Sequence, residues 1–241
     1  MISGETRLVG LLGDPVLQSL SPLMQNAAFA ARGLDWAYVP LQVAREQLEV
    51  ALRGLIALGF AGANVTTPHK LAVAKLVETD DQSVNTLVAH SGRLRGHSTD
   101  AAILRGLDFH RAAILGDGGA AAAFAAALPN ALRFSRRGTW PPDVSEVDLV
   151  VNATSERDEV LVEVRTGQML VDLSYPRTAT AFAAEAAGGT VVDGLEVLVA
   201  QGAASFELWT GVQAPVEIMR AALREPLIAG SSARFAGSLT L

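Results

Sequence analysis

The chain has 241 residues, of which half are hydrophobic, and it contains no cysteine. This length suits one large domain or two small ones, and the absence of cysteine excludes disulfides and thiolate chemistry. The formal net charge of −6 disfavours a nucleic-acid partner, which would need a basic face. The four histidines lack the spacing of metal ligands, so no metal site is predicted.

The chain shows no apolar run long enough to cross a bilayer, and its N-terminus lacks the pattern of a signal peptide. We therefore expect a cytoplasmic protein that binds a small-molecule substrate and does not associate with a membrane. Its oligomeric state is left open between a monomer and a homodimer.

The first half of the chain alternates strand-length apolar segments with helical segments. Strands are predicted at 6–13, 36–43 and 60–66, and helices at 21–33, 45–59 and 68–77. In the first helix, Ser21 is the predicted N-cap, Pro22 takes the first position and Gly33 follows the end. A strand pair at 84–89 and 92–98 turns at Ser91–Gly92, and a helix starts at Thr99. This alternation is typical of a mostly parallel sheet that is covered on both faces.

A second unit starts near Arg111. Its predicted strands are 112–116, 131–135, 147–155, 168–175 and 189–194, with a turn and helix at 117–128 and a helix at 178–189. The segment 135–152 leaves no room for a helix between the second and third of these strands. Two helices, at 198–211 and 215–225, complete the pattern, and the tail at 229–241 carries too little pattern to assign.

A glycine-rich turn, Gly116-x-Gly118-x-x-Ala121, follows a predicted strand and opens a helix. In that position backbone amides hold the pyrophosphate of a dinucleotide. About twenty residues later, where an NAD site places an acid, the chain has Ser135-Arg136-Arg137. Because a guanidinium suits a 2′-phosphate, NADP is favoured over NAD. The alternatives are a plain strand-to-helix turn and arginines that only aid solubility.

Lys70 and Asp100 are each ordinary when taken singly. Lys70 falls in the first turn of a predicted helix, where the helix dipole disfavours a cation, yet a surface lysine is the common case. Asp100 stands at a helix start, where capping alone would explain an acid. Taken together, a lysine and an aspartate can move a proton and orient a hydroxyl or carbonyl during hydride transfer without a metal.

Seven motifs spread over the chain resemble one family. They are SxSP at 19–22, NVTTPHK at 64–70, VNTL at 84–87, TD at 99–100, GDGGAA at 116–121, VNATS at 151–155 and GLEVLVAQGAASFELWTG at 194–211. In this order they resemble the shikimate dehydrogenase family. The resemblance implies an N-terminal α/β substrate domain with a mostly parallel sheet, a Rossmann NADP-binding domain, and C-terminal helices that return to the first domain. The expected bounds are 1–106 plus 200–241 for the first domain and 107–199 for the second.

The resemblance also implies an activity, the reduction of 3-dehydroshikimate to shikimate with NADPH in aromatic amino-acid biosynthesis. Lys70 and Asp100 would be the catalytic pair. The substrate carboxylate would be held by Ser19, Ser21, Thr66 and Tyr175, and the ring hydroxyls by Asn64, Asn85 and Gln201. The cofactor would be bound by Gly116, Gly118, Gly119, Ala120, Ser135, Arg136, Asn152, Thr154 and Gly194, with Arg136 on the 2′-phosphate.

Several positions depart from the family pattern, mostly on the cofactor side. Asp117 places an acid in the glycine loop, Ser98 replaces an asparagine, Arg157 replaces a glycine and Val197 replaces a methionine. Two alternatives therefore stay open. One is a paralogue that acts on quinate or aminoshikimate, with NAD as an optional cofactor, and the other is a shikimate-binding protein that has lost hydride transfer.

Overall fold

The computed structural model describes residues 2–229 and contains two five-stranded sheets. The tail at 230–241, and with it the end of the predicted segment 200–241, lies outside the described residues. Within residues 2–229, no helix has both the length and the apolar character needed to cross a membrane.

The first sheet has the order β2-β1-β3-β4-β5. Its strands are β1 (Arg7–Gly13), β2 (Trp36–Gln42), β3 (Gly62–Val65), β4 (Thr86–His90) and β5 (Arg93–His97). The first three are parallel, and β4 and β5 form the antiparallel hairpin that the sequence predicts. Alternate side chains of β1 enter different cores: Val9 and Leu11 pack with α1 (Ser21–Ala31), and Leu12 packs with α2 (Leu48–Ala57).

The second sheet is entirely parallel, with the order β10-β9-β8-β6-β7. Its strands are β6 (Ala112–Leu115), β7 (Leu132–Phe134), β8 (Leu149–Asn152), β9 (Met169–Asp172) and β10 (Thr190–Val192). Helix α4 (Gly119–Ala127) connects β6 to β7, and α5 (Ala179–Ala186) connects β9 to β10. No helix forms between β7 and β8, as predicted. The strand order reverses at β6, where a crevice at the carboxyl ends of the strands is the usual ligand site of such sheets.

The last two helices, α6 (Gly194–Thr210) and α7 (Val216–Ala229), pack against α1. The approach of α6 is close, because a Cβ at Gly202 would lie 2.2 Å from the Met24 side chain. Helix α6 begins at Gly194, earlier than the predicted 198, because the Asp193 carboxylate accepts hydrogen bonds from the Leu195 and Glu196 amides. It therefore runs through the predicted domain boundary at 199/200, and the domain bounds stay a prediction.

Three local expectations differ from the structure. The helix predicted at 68–77 is limited to α3 (Lys70–Val73), since the amides of Lys75 and Leu76 bond three residues back in turns. The helix expected from Thr99 is a 3₁₀ helix at Asp100–Gly106, and the segment 45–47 is also 3₁₀. These tighter turns satisfy the backbone over short segments.

The predicted N-cap of the first helix is wrong. Helix α1 starts at Ser21 itself, Leu20 occupies the capping position, and no side chain caps the helix. The Ser19 hydroxyl accepts a hydrogen bond from the Ser21 amide at 3.3 Å, so a local turn replaces the cap. Gly33 does follow the end of α1, with φ of +64°.

Candidate active site

Two adjoining cavities contain most of the predicted site residues. The smaller, of about 190 Å³, lies at the carboxyl ends of β1 and β3 and is lined by Ser19, Ser21, Asn64, Thr66, Lys70, Asp100, Tyr175, Gly194 and Gln201. The larger, of about 460 Å³, is lined by Gly116, Gly118, Gly119, Ala120, Ser135, Arg136 and Thr154. Ala120 lines both cavities, so the two are neighbours. Below, we call them the substrate cavity and the cofactor cleft.

A cavity of about 730 Å³ is bigger than either and lies between α4, α6 and the 3₁₀ helix at 100–106. None of the predicted site residues lines it. We place the site in the two smaller cavities because they bring together the groups with chemistry, whereas size alone identifies no reaction.

Lys70 and Asp100 form an ion pair in the wall of the substrate cavity. The Lys70 ammonium donates to both carboxylate oxygens of Asp100, at 2.8 and 2.7 Å. Both side chains are largely buried, with 15% and 9% of their surface exposed. Each residue begins a short helix, α3 for Lys70 and the 3₁₀ helix for Asp100. The Asp100 carboxylate is not a helix cap, because Thr99 holds the capping position and no side chain caps this helix.

The Asn85 side chain is hydrogen-bonded to the carboxylate of this pair. Its amide nitrogen donates to Asp100 Oδ1 at 2.8 Å, to Thr99 Oγ1 at 2.9 Å and to Gln201 Oε1 at 3.3 Å. Its carbonyl oxygen accepts from the Thr99 amide at 2.7 Å. Asn85 is buried and lies behind Asp100 and Gln201, which line the substrate cavity, so it supports Asp100, and its predicted contact with a ring hydroxyl stays a prediction.

A buried polar network fixes Asn64 at the cavity. Its side-chain oxygen accepts from the Tyr38 hydroxyl at 2.9 Å, and its side-chain amide donates to Ser205 at 3.0 Å and to the backbone carbonyl of Asn85 at 2.9 Å. Ser205 also bonds the hydroxyl of Thr86 at 2.7 Å.

The sequence reasoning missed Tyr38, Ser205 and Thr86. One sequence signal was available for Ser205. It stands four residues after the predicted site residue Gln201, so both lie on one face of the predicted helix.

Hydroxyl groups surround one end of the substrate cavity, near the N-terminus of α1. They belong to Ser19, Ser21, Thr66 and Tyr175. Burial raises the pKa of Tyr175 above its usual value, against a smaller opposing effect of a hydrogen bond with Ser19. The phenol therefore stays neutral near pH 7 and is available as a donor. Such hydroxyls suit a carboxylate, because each can donate a hydrogen bond to it.

The glycine loop between β6 and α4 has the shape that a dinucleotide needs. Gly116 has φ of +116°, and a Cβ there would lie 2.9 Å from the Ala153 carbonyl. A Cβ at Gly118 would meet nothing within 4 Å, so the loop is open on that side. A Cβ at Gly119 would lie 2.8 Å from the Lys70 side chain, which places Lys70 directly beside the loop. These residues fit a bound NADP.

Two predicted cofactor residues lie elsewhere. Asn152 is fully buried and lines neither cavity, because its amide donates to Asp172 at 3.0 Å and its carbonyl accepts from the Thr154 hydroxyl at 2.8 Å. It therefore positions Thr154, which does line the cleft. Gly194 lines the substrate cavity, where a Cβ would lie 2.3 Å from the Ser174 carbonyl.

The arginines after β7 lie at the cofactor cleft with acidic partners. Arg136 is ion-paired with Glu159 and lies 5.8 Å from the ring centre of Trp140. Arg137 lies 3.7 Å from Asp117, the acid of the glycine loop. Among residues 2–229, no group of three or more His, Asp and Glu side chains is placed to hold a metal ion.

Comparisons with known proteins agree with this geometry. Residues 11–89 match the model of the shikimate dehydrogenase substrate binding domain, and residues 194–224 match that of the shikimate 5′-dehydrogenase C-terminal domain. A shikimate dehydrogenase (NADP(+)) from Moorella thermoacetica is 39% identical, with 98% of this chain and 99% of the relative covered. The chain belongs to the shikimate dehydrogenase family. The predicted family is therefore confirmed.

Solved shikimate dehydrogenases share the fold. The Aquifex aeolicus enzyme gives a TM-score of 0.86 at 27% identity, covering 93% of this chain and 100% of that one. The Thermus thermophilus enzyme in complex with NADP(H) and shikimate gives 0.79 at 30% identity, covering 90% and 98%. The predicted two-domain α/β class is confirmed. The predicted oxidoreductase family is confirmed as well, since the relatives are named shikimate dehydrogenase (NADP(+)). The alignment with the Moorella shikimate dehydrogenase spans 291 positions, more than the 241 residues here, so that relative has positions without a counterpart in this chain.

Proposed function

We propose that this protein reduces 3-dehydroshikimate to shikimate with NADPH, with Lys70 and Asp100 as its catalytic pair. The observation that carries the proposal is the bidentate Lys70–Asp100 pair in the wall of the substrate cavity, directly beside the glycine loop. No metal is needed in this scheme, because an ammonium stabilises negative charge on a ring oxygen and also provides a proton.

The reaction needs one hydride and one proton. Bound NADPH would supply the hydride to the carbonyl carbon of the ring ketone. The carbonyl oxygen then carries the electron pair of the former π bond, and Lys70 Nζ donates a proton to it. Asp100 holds the ammonium by two hydrogen bonds and remains a carboxylate, while Asn85 holds Asp100 in place. In the oxidation of shikimate the same proton returns to Lys70.

The substrate would lie with its carboxylate at the hydroxyl end of the cavity. Ser19, Ser21, Thr66 and Tyr175 offer up to four hydroxyl donors, and hydrogen bonds to an ionised acceptor are stronger than neutral ones. The ring hydroxyls would meet Asn64 and Gln201, which line the same cavity. The network of Tyr38, Ser205 and Thr86 keeps the Asn64 side chain in one orientation.

The cofactor would occupy the cleft between the glycine loop and the arginines. The amides at the start of α4 favour a pyrophosphate, because the positive end of the helix dipole lies there. Arg136 lines the cleft beside the indole of Trp140 and offers a planar fork to the 2′-phosphate. The predicted cytoplasmic location and the monomeric or homodimeric state stay predictions.

An activity panel tests the proposal. Purified protein is assayed for reduced-nucleotide formation with shikimate and with quinate, each with NADP⁺ and with NAD⁺. We expect the highest kcat/KM for shikimate with NADP⁺. Turnover of quinate alone would replace the substrate assignment. Binding of shikimate without turnover on either cofactor would overturn the enzymatic role.

A further inference from the structure

The mouth of the cofactor cleft carries two arginines, and each faces a carboxylate from another loop. Arg136, after β7, is ion-paired with Glu159, which lies in the segment after β8. Arg137 lies 3.7 Å from Asp117 in the glycine loop. Because Asp117 and both arginines line the cleft, these ion pairs stand where the adenosine end of a dinucleotide would enter.

The fold fixes the position of Glu159. Its backbone carbonyl accepts a hydrogen bond from the Thr180 hydroxyl of α5 at 3.2 Å, and the same hydroxyl accepts from the Leu161 amide at 3.0 Å. The neighbouring acid, Glu156, is used within its own loop, because it accepts from the amides of Arg157 and Asp158 at 2.9 and 3.0 Å. Those amides, with a smaller effect of the nearby Arg136, lower the pKa of Glu156. The carboxylate in ion-pair contact with Arg136 is that of Glu159.

We infer that Glu159 competes with the 2′-phosphate of NADP(H) for Arg136 and thereby sets how strongly the protein prefers NADP over NAD. This inference rests on the cofactor assignment proposed above. A guanidinium has one planar set of donors, and a carboxylate and a phosphate use it in the same way. A phosphate that binds Arg136 must displace Glu159 or share the arginine with it. NAD has no 2′-phosphate and makes no such demand.

The exposure of the Arg136 and Glu159 side chains determines how much Glu159 weakens the binding of NADP⁺. Arg136 and Glu159 have 57% and 62% of their side-chain surface exposed, so water screens their attraction. Removal of such a competitor should tighten the binding of NADP⁺ by about two- to fivefold, the range of an exposed pair. The pair thus tunes the affinity without preventing binding.

Equilibrium binding tests this directly, because it needs no turnover. Titration calorimetry with NADP⁺ and with NAD⁺ is carried out on the wild type, Glu159→Gln and Arg136→Gln. Glu159→Gln keeps the shape of the side chain and removes its charge. We expect a lower Kd for NADP⁺ and an unchanged Kd for NAD⁺. In the double variant with Arg136→Gln, the gain should vanish.

Glu163→Gln is the matched control. Glu163 pairs with Arg165 at 2.9 Å, whereas Glu159 pairs with Arg136, and the two substitutions change the net charge equally. Glu163→Gln should leave both affinities unchanged. Unchanged or weaker NADP⁺ binding in Glu159→Gln, or an equal gain in Glu163→Gln, would overturn the inference.

The outcome for Arg136→Gln separates this inference from the cofactor assignment. A selective loss of NADP⁺ binding in Arg136→Gln, without a gain in Glu159→Gln, overturns only the competition. If the wild type binds neither nucleotide, or if Arg136→Gln weakens both equally, the cofactor assignment itself fails.

Discussion

Replacement of Ser19 by alanine should weaken substrate binding while leaving the fold nearly intact. In the structure the Ser19 hydroxyl accepts a hydrogen bond from the Ser21 amide at 3.3 Å, it is hydrogen-bonded with Tyr175, and it lines the substrate cavity. Loss of a neutral hydrogen bond of this kind costs the folded state about 1 kcal/mol. A hydrogen bond to an ionised carboxylate is worth about 1.5–3 kcal/mol, which is roughly a 10- to 150-fold fall in kcat/KM for shikimate.

Steady-state kinetics with shikimate and with its methyl ester measure this effect. The ester keeps the ring hydroxyls and removes the charge, so the Ser19→Ala penalty should shrink on the ester. Ser3→Ala is the control, because Ser3 is exposed and bonds Asp35 at 2.7 Å, outside either cavity. An unchanged KM for shikimate in Ser19→Ala, or an equal penalty on the ester, would refute the assignment of a carboxylate site.

Three further predictions concern stability. Asp193→Ala removes the cap of α6, which accepts from the Leu195 and Glu196 amides, and should lower the free energy of unfolding by about 1 kcal/mol in urea titrations. Gly62→Ala would place a Cβ 2.2 Å from the Leu87 carbonyl and 2.6 Å from the indole nitrogen of Trp209, so we expect a loss of about 1–3 kcal/mol and altered tryptophan emission. Burial raises the pKa of Tyr38, so above pH 10 the unfolded chain loses this proton before the folded chain does, and the free energy of unfolding falls as pH rises. Urea midpoints from pH 8 to 11 should fall less steeply in Tyr38→Phe, and equal slopes would contradict the assignment.

The parts of the site that depend on local pattern were predictable from the sequence. The glycine turn after β6 lies between a strand and a helix, and the positive φ of Gly116 is the local requirement that the pattern encodes. The hairpin of β4 and β5 follows from its turn at Ser91–Gly92. These features depend on neighbours in the sequence, so a single sequence contains them.

The remaining features depend on contacts between distant segments. Asn64 bonds Ser205, 141 positions away, and no local pattern indicates that pairing. The partner of Arg136 is Glu159 on another loop, which the fold brings within reach. The predicted cap of α1 was wrong because the helix begins one residue earlier, with the Met24 amide bonded to the Leu20 carbonyl, so Leu20 holds the capping position.

The activity of a Lys70 variant tests the central proposal most directly. In Lys70→Met the proton donor is lost while the hydroxyl groups of the substrate cavity remain, so kcat for shikimate oxidation with NADP⁺ should fall by about 10²- to 10⁴-fold. The Kd for shikimate, measured by calorimetry, should change only a few-fold. Lys75→Met, at an exposed lysine outside the substrate cavity, is the control and should retain wild-type kcat. Near-normal turnover in Lys70→Met would contradict the account.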